Sequence, residues 1–137
     1  LALPADVTLG DKMHLLGYTT RQEGDRLIVR MAWQSLQIME TNYKIFVQLV
    51  RPEGEQVIAQ VDTMPRGWSY PTTLWSRQEL FCDRIPLPAQ GLPPGSYRAA
   101  LGVYRPKTGR LPALDGQGNR IPDDRLILDR PVVIPGP

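Results

Sequence analysis

The sequence contains one cysteine and one histidine in 137 residues. Cys82 alone cannot form an internal disulfide, so an oxidising compartment is neither required nor excluded. With His14 as the sole imidazole, zinc would need carboxylates or Cys82, an unusual set. The same scarcity removes any sequence-level case for a Ser-His-Asp triad. There is no glycine-rich phosphate loop or dinucleotide fingerprint, because Gly91–Gly95 has prolines where such a loop needs backbone donors. No apolar run is long enough to cross a membrane. The opening residues, Leu1 to Asp6, lack the basic start and long apolar stretch of a secretory leader. The formal net charge is only +2, and the arginines are interleaved with acids and apolar residues. No basic stripe for nucleic acid emerges. These absences predict no cofactor, no metal, no nucleic-acid partner, no direct membrane insertion and no enzymatic activity.

Fourteen prolines and twelve glycines are present, too many for a helical protein of this size. They fall mostly between apolar runs, as in a sheet protein with many turns. Leu27, Val29, Met31 and Trp33 alternate with Ile28 and Arg30, the period of a half-buried strand. Tyr43, Ile45, Val47 and Leu49 share one face of the strongest strand. Phe46 and Val50 on its other face predict a central position. Arg51–Glu55, with Pro52 and Gly54, reads as the turn of a hairpin to Gln56–Val61. Thr19–Gly24 reads as a polar turn, and Ser35–Thr41 as a short helical turn or an extended crossover. In Ser96–Tyr104, Tyr97, Ala99, Leu101 and Val103 form one face. The small Ala100 and Gly102 opposite them suggest a close neighbouring strand or loop. Pro86 and Pro131 push their strands to an edge or a bulge.

Seven or eight strands and no convincing amphipathic helix predict one all-β domain over 1–137, a two-sheet antiparallel β-sandwich. Immunoglobulin-like and jelly-roll topologies both fit, and a small closed barrel is the structural alternative. The expected core includes Trp33, Ile45, Val47, Leu101 and Val103. Cys82, in Leu80-Phe-Cys-Asp, reads as a buried structural thiol. His14, between Met13 and Leu15, reads as solvent-facing.

Two long excursions interrupt the strands, an aromatic-rich insert at 62–79 and a loop at 105–125. In the insert, Trp68, Tyr70 and Trp75 could stack on the apolar faces of a sugar. Arg66, Arg77, Asp62 and Asp83 could supply hydrogen bonds to its hydroxyls. The competing reading tucks the rings inward to cap the sandwich, with Trp75 the ring to be buried and Trp68 the ring to be exposed. Asp62 and Asp83 bracket the insert. A glycosidase would need two carboxyl groups at a defined spacing, but acceptors at the loop base are the favoured reading. Asp115, Gln117, Asn119, Asp123 and Asp124 concentrate oxygen atoms. Their spacing does not match the calcium helix-loop-helix pattern, and Asp115-Gly116 is a good hairpin-turn dipeptide.

Several blocks carry a family resemblance: Val29-Arg-Met-Ala-Trp-Gln34, Asn42 with Tyr43-Lys-Ile-Phe-Val-Gln48, Ala59-Gln-Val-Asp62, Pro71-Thr-Thr-Leu-Trp75, Pro93-Pro-Gly-Ser-Tyr97 and Gly102-Val-Tyr-Arg-Pro106. From Val7 to Ile134 the chain resembles the C-terminal β-sandwich domain of predicted bacterial membrane glycosyltransferases of the protein-mannosyltransferase-like class. That resemblance implies a non-catalytic appendage on the extracytoplasmic face of a membrane, as a fragment of a larger protein. Gln48 stands where the family's block usually has histidine, so no metal or acid–base role is implied there. The leading expectation is an accessory or interaction domain of a cell-envelope protein, with a glycan or a neighbouring envelope domain as partner. A carbohydrate-binding module using the insert is the alternative.

Overall fold

The computed structural model describes residues 3–53 and 55–136. Gly54, the glycine of the expected hairpin turn, lies outside the described residues. The chain forms strands β1 (Leu3–Leu9), β2 (Met13–Glu23), β3 (Arg26–Ser35), β4 (Lys44–Val50), β5 (Val57–Thr63), β6 (Leu80–Pro88), β7 (Gly95–Arg105), β8 (Gly109–Arg110), β9 (Ala113–Leu114) and β10 (Leu126–Ile134). Single 3-10 turns sit at Thr72–Leu74 and Pro122–Asp124. The strands make two antiparallel sheets, ordered β6-β3-β2-β1-β9 and β10-β7-β4-β5, with β8 paired to β7. This is the expected sandwich rather than a closed barrel.

The core lies between the inward faces. Trp33 on β3, Ile45 and Val47 on β4, and Leu101 and Val103 on β7 are all fully buried there, as their alternation predicts. β4 lies between β7 and β5, and its outward face is covered by Arg110 over the Phe46 ring and by Arg125 against Gln48. The proline-bearing β6 and β10 are edge strands, and β10 shifts register between Ile127 and Pro131. An edge strand needs fewer ladder donors, so proline is tolerated there.

Three expectations are corrected. Thr19–Glu23 is not a turn: β2 pairs with β3 as far as Glu23↔Arg26, and Gly24 at φ 61° leads the reversal. β1 was not expected, and Pro4 and Asp6 obscure its alternation. Cys82 is exposed. The pairing Trp33↔Phe81 turns Phe81 inward, and a period of two then turns Cys82 outward beside Ala32. His14 is half-buried, and its Nε2 lies 2.7 Å from Asp6 Oδ1.

The insert joins the edge strand β5 of one sheet to the edge strand β6 of the other. It thereby closes one flank of the sandwich, where Trp75 joins the core and Tyr70 packs against it. The 105–125 excursion leaves β7, adds β9 beside β1 of the opposite sheet, and returns to β10.

Candidate functional site

The insert divides its side chains between scaffold and surface. Trp75 is 2% exposed and packs on Phe81, with ring centroids 4.6 Å apart. Its Nε1–H donates to the Tyr70 carbonyl at 3.1 Å, so the indole is both buried and satisfied. Tyr70 is half-buried, and its hydroxyl donates to Glu79 Oε2 at 2.8 Å. That bond holds the Tyr70 hydroxyl above the ordinary phenol range. Glu79 also accepts the Ser76 N–H at 2.7 Å, and this bond, with the Tyr70 hydroxyl, depresses its carboxyl. Asp83 is buried; it accepts the backbone N–H groups of Arg66 at 3.0 Å and Arg84 at 2.7 Å. These groups build and anchor the loop.

Trp68 behaves differently. It is 52% exposed, and Arg66, Gly67 and Trp68 all have left-handed backbone, at φ 52°, 59° and 75°. A left-handed conformation costs a non-glycine residue about 1–2 kcal/mol. The turn is held by Arg66 N–H on Asp83, Trp68 N–H on the Met64 carbonyl, and Tyr70 N–H on the Pro65 carbonyl. The Lys44 ammonium lies 5.0 Å from the centre of the Trp68 ring.

Lys44 leads onto the outer face of the β10-β7-β4-β5 sheet. It stands opposite Tyr104, and Phe46 stands between Gly102 and Asp62. A cleft of about 380 Å³ opens there, lined by Phe46, Gln60, Asp62, Tyr104, Gly109 and Arg110. The Arg110 guanidinium covers the Phe46 ring at 4.5 Å. Burial, then the neighbouring Asp62 carboxylate, raises the Tyr104 hydroxyl. A polar row crosses the sheet beside the cleft. Arg125 Nη1 donates to Gln48 Oε1 at 2.7 Å, Gln48 Nε2 to Gln60 Oε1 at 3.0 Å, and Gln60 Nε2 to Asp62 Oδ1 at 2.9 Å. Buried Arg125 also donates to the Glu55 carbonyl at 3.2 Å. A hydroxyl-rich ligand would meet a carboxylate, an amide, a phenol and a guanidinium on a rigid floor.

The sequence-derived candidates therefore separate. Asp62 and Trp68 flank one surface. Arg66 lies against Phe81, at 4.7 Å, toward the other sheet, and Arg77 is exposed. Asp62 faces outward on β5, whereas Asp83 is buried on β6 of the opposite sheet. The sequence reading missed Lys44, Phe46, Gln60, Tyr104 and Arg110. Their signal was the second face of the alternating runs, where Phe46, Gln60 and Tyr104 sit out of phase with the core.

The oxygen-rich loop is occupied by its own chain. Asp115 Oδ1 accepts the N–H groups of Gln117 and Asn119, both at 2.9 Å, which lowers its carboxyl. Arg120 donates to Asp124 Oδ2 at 2.7 Å and lowers that carboxyl. Among the described residues no three histidine, cysteine or acidic side chains cluster as metal ligands. Nor is any helix among them long and apolar enough to cross a membrane.

No family model matches the chain, and no curated protein does. Solved structures similar to it include the following two. The C-terminal domain of wzt aligns over 93% of this chain and 90% of its own length, with 11% identity and a TM-score of 0.57. A catalytically inactive OgpA from Akkermansia muciniphila, in complex with an O-glycopeptide substrate, aligns over 87% of this chain and 32% of its own. Its identity is 12% and its TM-score 0.44. The first likeness is one of fold; the second is too distant to support more.

Proposed function

We propose that this chain is a non-catalytic carbohydrate-binding domain, and that the glycan lies on the outer face of the β10-β7-β4-β5 sheet with Trp68 at one end. The observation behind this is the combination of an exposed indole on a strained turn with an adjoining polar cleft. Strained backbone persists where surrounding structure over-determines it, and it concentrates at ligand sites. Here three left-handed residues keep Trp68 in solvent while Lys44 links it to the cleft. An indole face suits the C–H face of a sugar ring. Asp62, Gln60 and Arg110 suit its hydroxyls.

A non-catalytic role is consistent with the separation of Asp62 and Asp83 onto different sheets and the use of Asp83 by two backbone donors. The sequence blocks favour a place in a larger envelope protein, outside the membrane, beside a glycosyltransferase of the protein-mannosyltransferase-like class. A glycan array followed by calorimetry tests the reading. Trp68→Ala and Asp62→Asn should each weaken a captured glycan, Trp68→Ala by about 2 kcal/mol or roughly 30-fold, as for a dominant contact. A blank array, or a glycan whose affinity survives both changes, would overturn it.

A further inference from the structure

The opposite sheet carries a second cleft, of about 440 Å³, which the carbohydrate reading does not use. Its outward-facing floor is Gly17, Ala32 and Cys82, which are register neighbours on β2, β3 and β6. The β2 strand shifts register between Leu15 and Gly17, beside this floor. Thr19, Arg30 and Arg84 form the next row across the same three strands, and Arg66 reaches over from the insert.

Arg30 and Arg84 are direct cross-strand partners. Like charges in that position repel and weaken a sheet. Among the described residues none of Arg30, Arg66 and Arg84 has a carboxylate within ion-pairing distance. Acids nearby are already engaged. Asp83 accepts two backbone N–H groups, Glu79 accepts Ser76 N–H and Tyr70 hydroxyl, Glu23 pairs with Arg21, and Asp6 pairs with His14. Arg30 and Arg84 thus stand side by side along this cleft with no ion-paired carboxylate among the described residues; Arg66 lines it with its guanidinium over Tyr70 and Phe81, and Asp83, which also lines it, is held by two backbone N–H groups. Arginine presents planar paired donors that match the oxygens of a carboxylate or a phosphate.

We infer that this cleft is an anion site, which takes a carboxylate or phosphate group on a ligand while the small-residue floor lies against the ligand's carbon frame. It is independent of the carbohydrate surface, which lies on the other sheet.

Amide NMR titration of the chain with inorganic phosphate, glucuronate and neutral glucose tests it. The expected result is saturable shifts at Gly17, Ala32 and Cys82 with one or both anions and none with glucose. The anion bound more tightly distinguishes a phosphate ligand from a carboxylate one. Affinity should fall at least about tenfold in an Arg30→Gln/Arg84→Gln double variant, as expected for loss of charge-assisted bonds. It should be unchanged in Arg26→Gln, which is outside the cleft. Relief of the like-charge pair should leave the double variant's melting temperature equal or higher. A second readout needs no variant: the bound anion should slow alkylation of Cys82 by iodoacetamide. Absence of saturable shifts, equal shifts with glucose, an unaltered affinity in the double variant, or unprotected Cys82 would each overturn the site.

Discussion

The ring of Phe46 lies over the bare Cα of Gly102, so closely that a methyl group there would stand 2.4 Å from the ring's Cζ. It would also meet the Asp124 carbonyl oxygen at 2.9 Å. Gly102→Ala must therefore displace either the ring or the returning loop. Overpacking of this kind costs about 1–3 kcal/mol. Urea unfolding should show that loss, and Arg110, which rests on the displaced ring, should leave the cleft. Glycan affinity should drop together with stability.

Trp68→Gly separates stability from binding. Glycine adopts a φ of +75° without the penalty paid by an indole-bearing residue. The lost contact with Lys44 is worth about 0.5–1 kcal/mol at an exposed site. Thermal unfolding should show stability unchanged or raised by up to about 1 kcal/mol, while glycan affinity falls by the same roughly 30-fold as in Trp68→Ala. A clear destabilisation would show that the indole is part of the scaffold.

The two core tryptophans should respond unequally to phenylalanine. Trp75 Nε1–H has a partner in the Tyr70 carbonyl, whereas buried Trp33 Nε1–H has none among the described residues. Replacing Trp75 leaves a carbonyl without its donor; replacing Trp33 removes an orphan. Trp75→Phe should cost more than Trp33→Phe by about 1–3 kcal/mol in chemical denaturation.

Asp83→Ala should loosen the 66–68 turn, because the Arg66 N–H loses its acceptor. A hydrogen bond to a charged group is worth about 1.5–3 kcal/mol. Limited trypsin digestion should then cut after Arg66 much faster than in the parent chain.

Glu79 sets an acid limit. Its carboxyl is lowered in the fold by the Ser76 N–H and the Tyr70 hydroxyl. A depressed acid contributes stability above its unfolded pKa, about 4.3, and loses it as pH falls through the folded value. Melting temperature should decline on acidification below that range. In Glu79→Gln the decline should be shallower and the neutral-pH value lower.

The strands of the core were legible because their alternation is local. Trp33, Ile45, Val47, Leu101 and Val103 needed only a period of two. Trp75 inside and Trp68 outside followed from their neighbours, Leu80 and Phe81 against Gly67 and Ser69. Cys82 was misread because Leu80-Phe-Cys-Asp has apolar residues in both phases, and only the pairing of Phe81 with Trp33 decides between them. The cleft beside Asp62 was not legible. It depends on β4 lying between β5 and β7, and the β4–β7 pairing brings Lys44 to Tyr104 and Phe46 to Gly102, residues far apart in the sequence. The arginine cleft was hidden for the same reason, since Arg30 and Arg84 look dispersed until β3 meets β6.

The row from Arg125 through Gln48 and Gln60 to Asp62 has a direction. Arginine can only donate and an ionised aspartate can only accept. Each glutamine between them is therefore forced to turn its oxygen toward Arg125 and its nitrogen toward Asp62. Neither amide can flip without breaking two bonds. The face in this sense has a polarity: its donors and acceptors stand in one order and resist reversal. If the proposed carbohydrate role holds, a sugar whose hydroxyls match that order should bind more tightly than an epimer that places one hydroxyl on the wrong side.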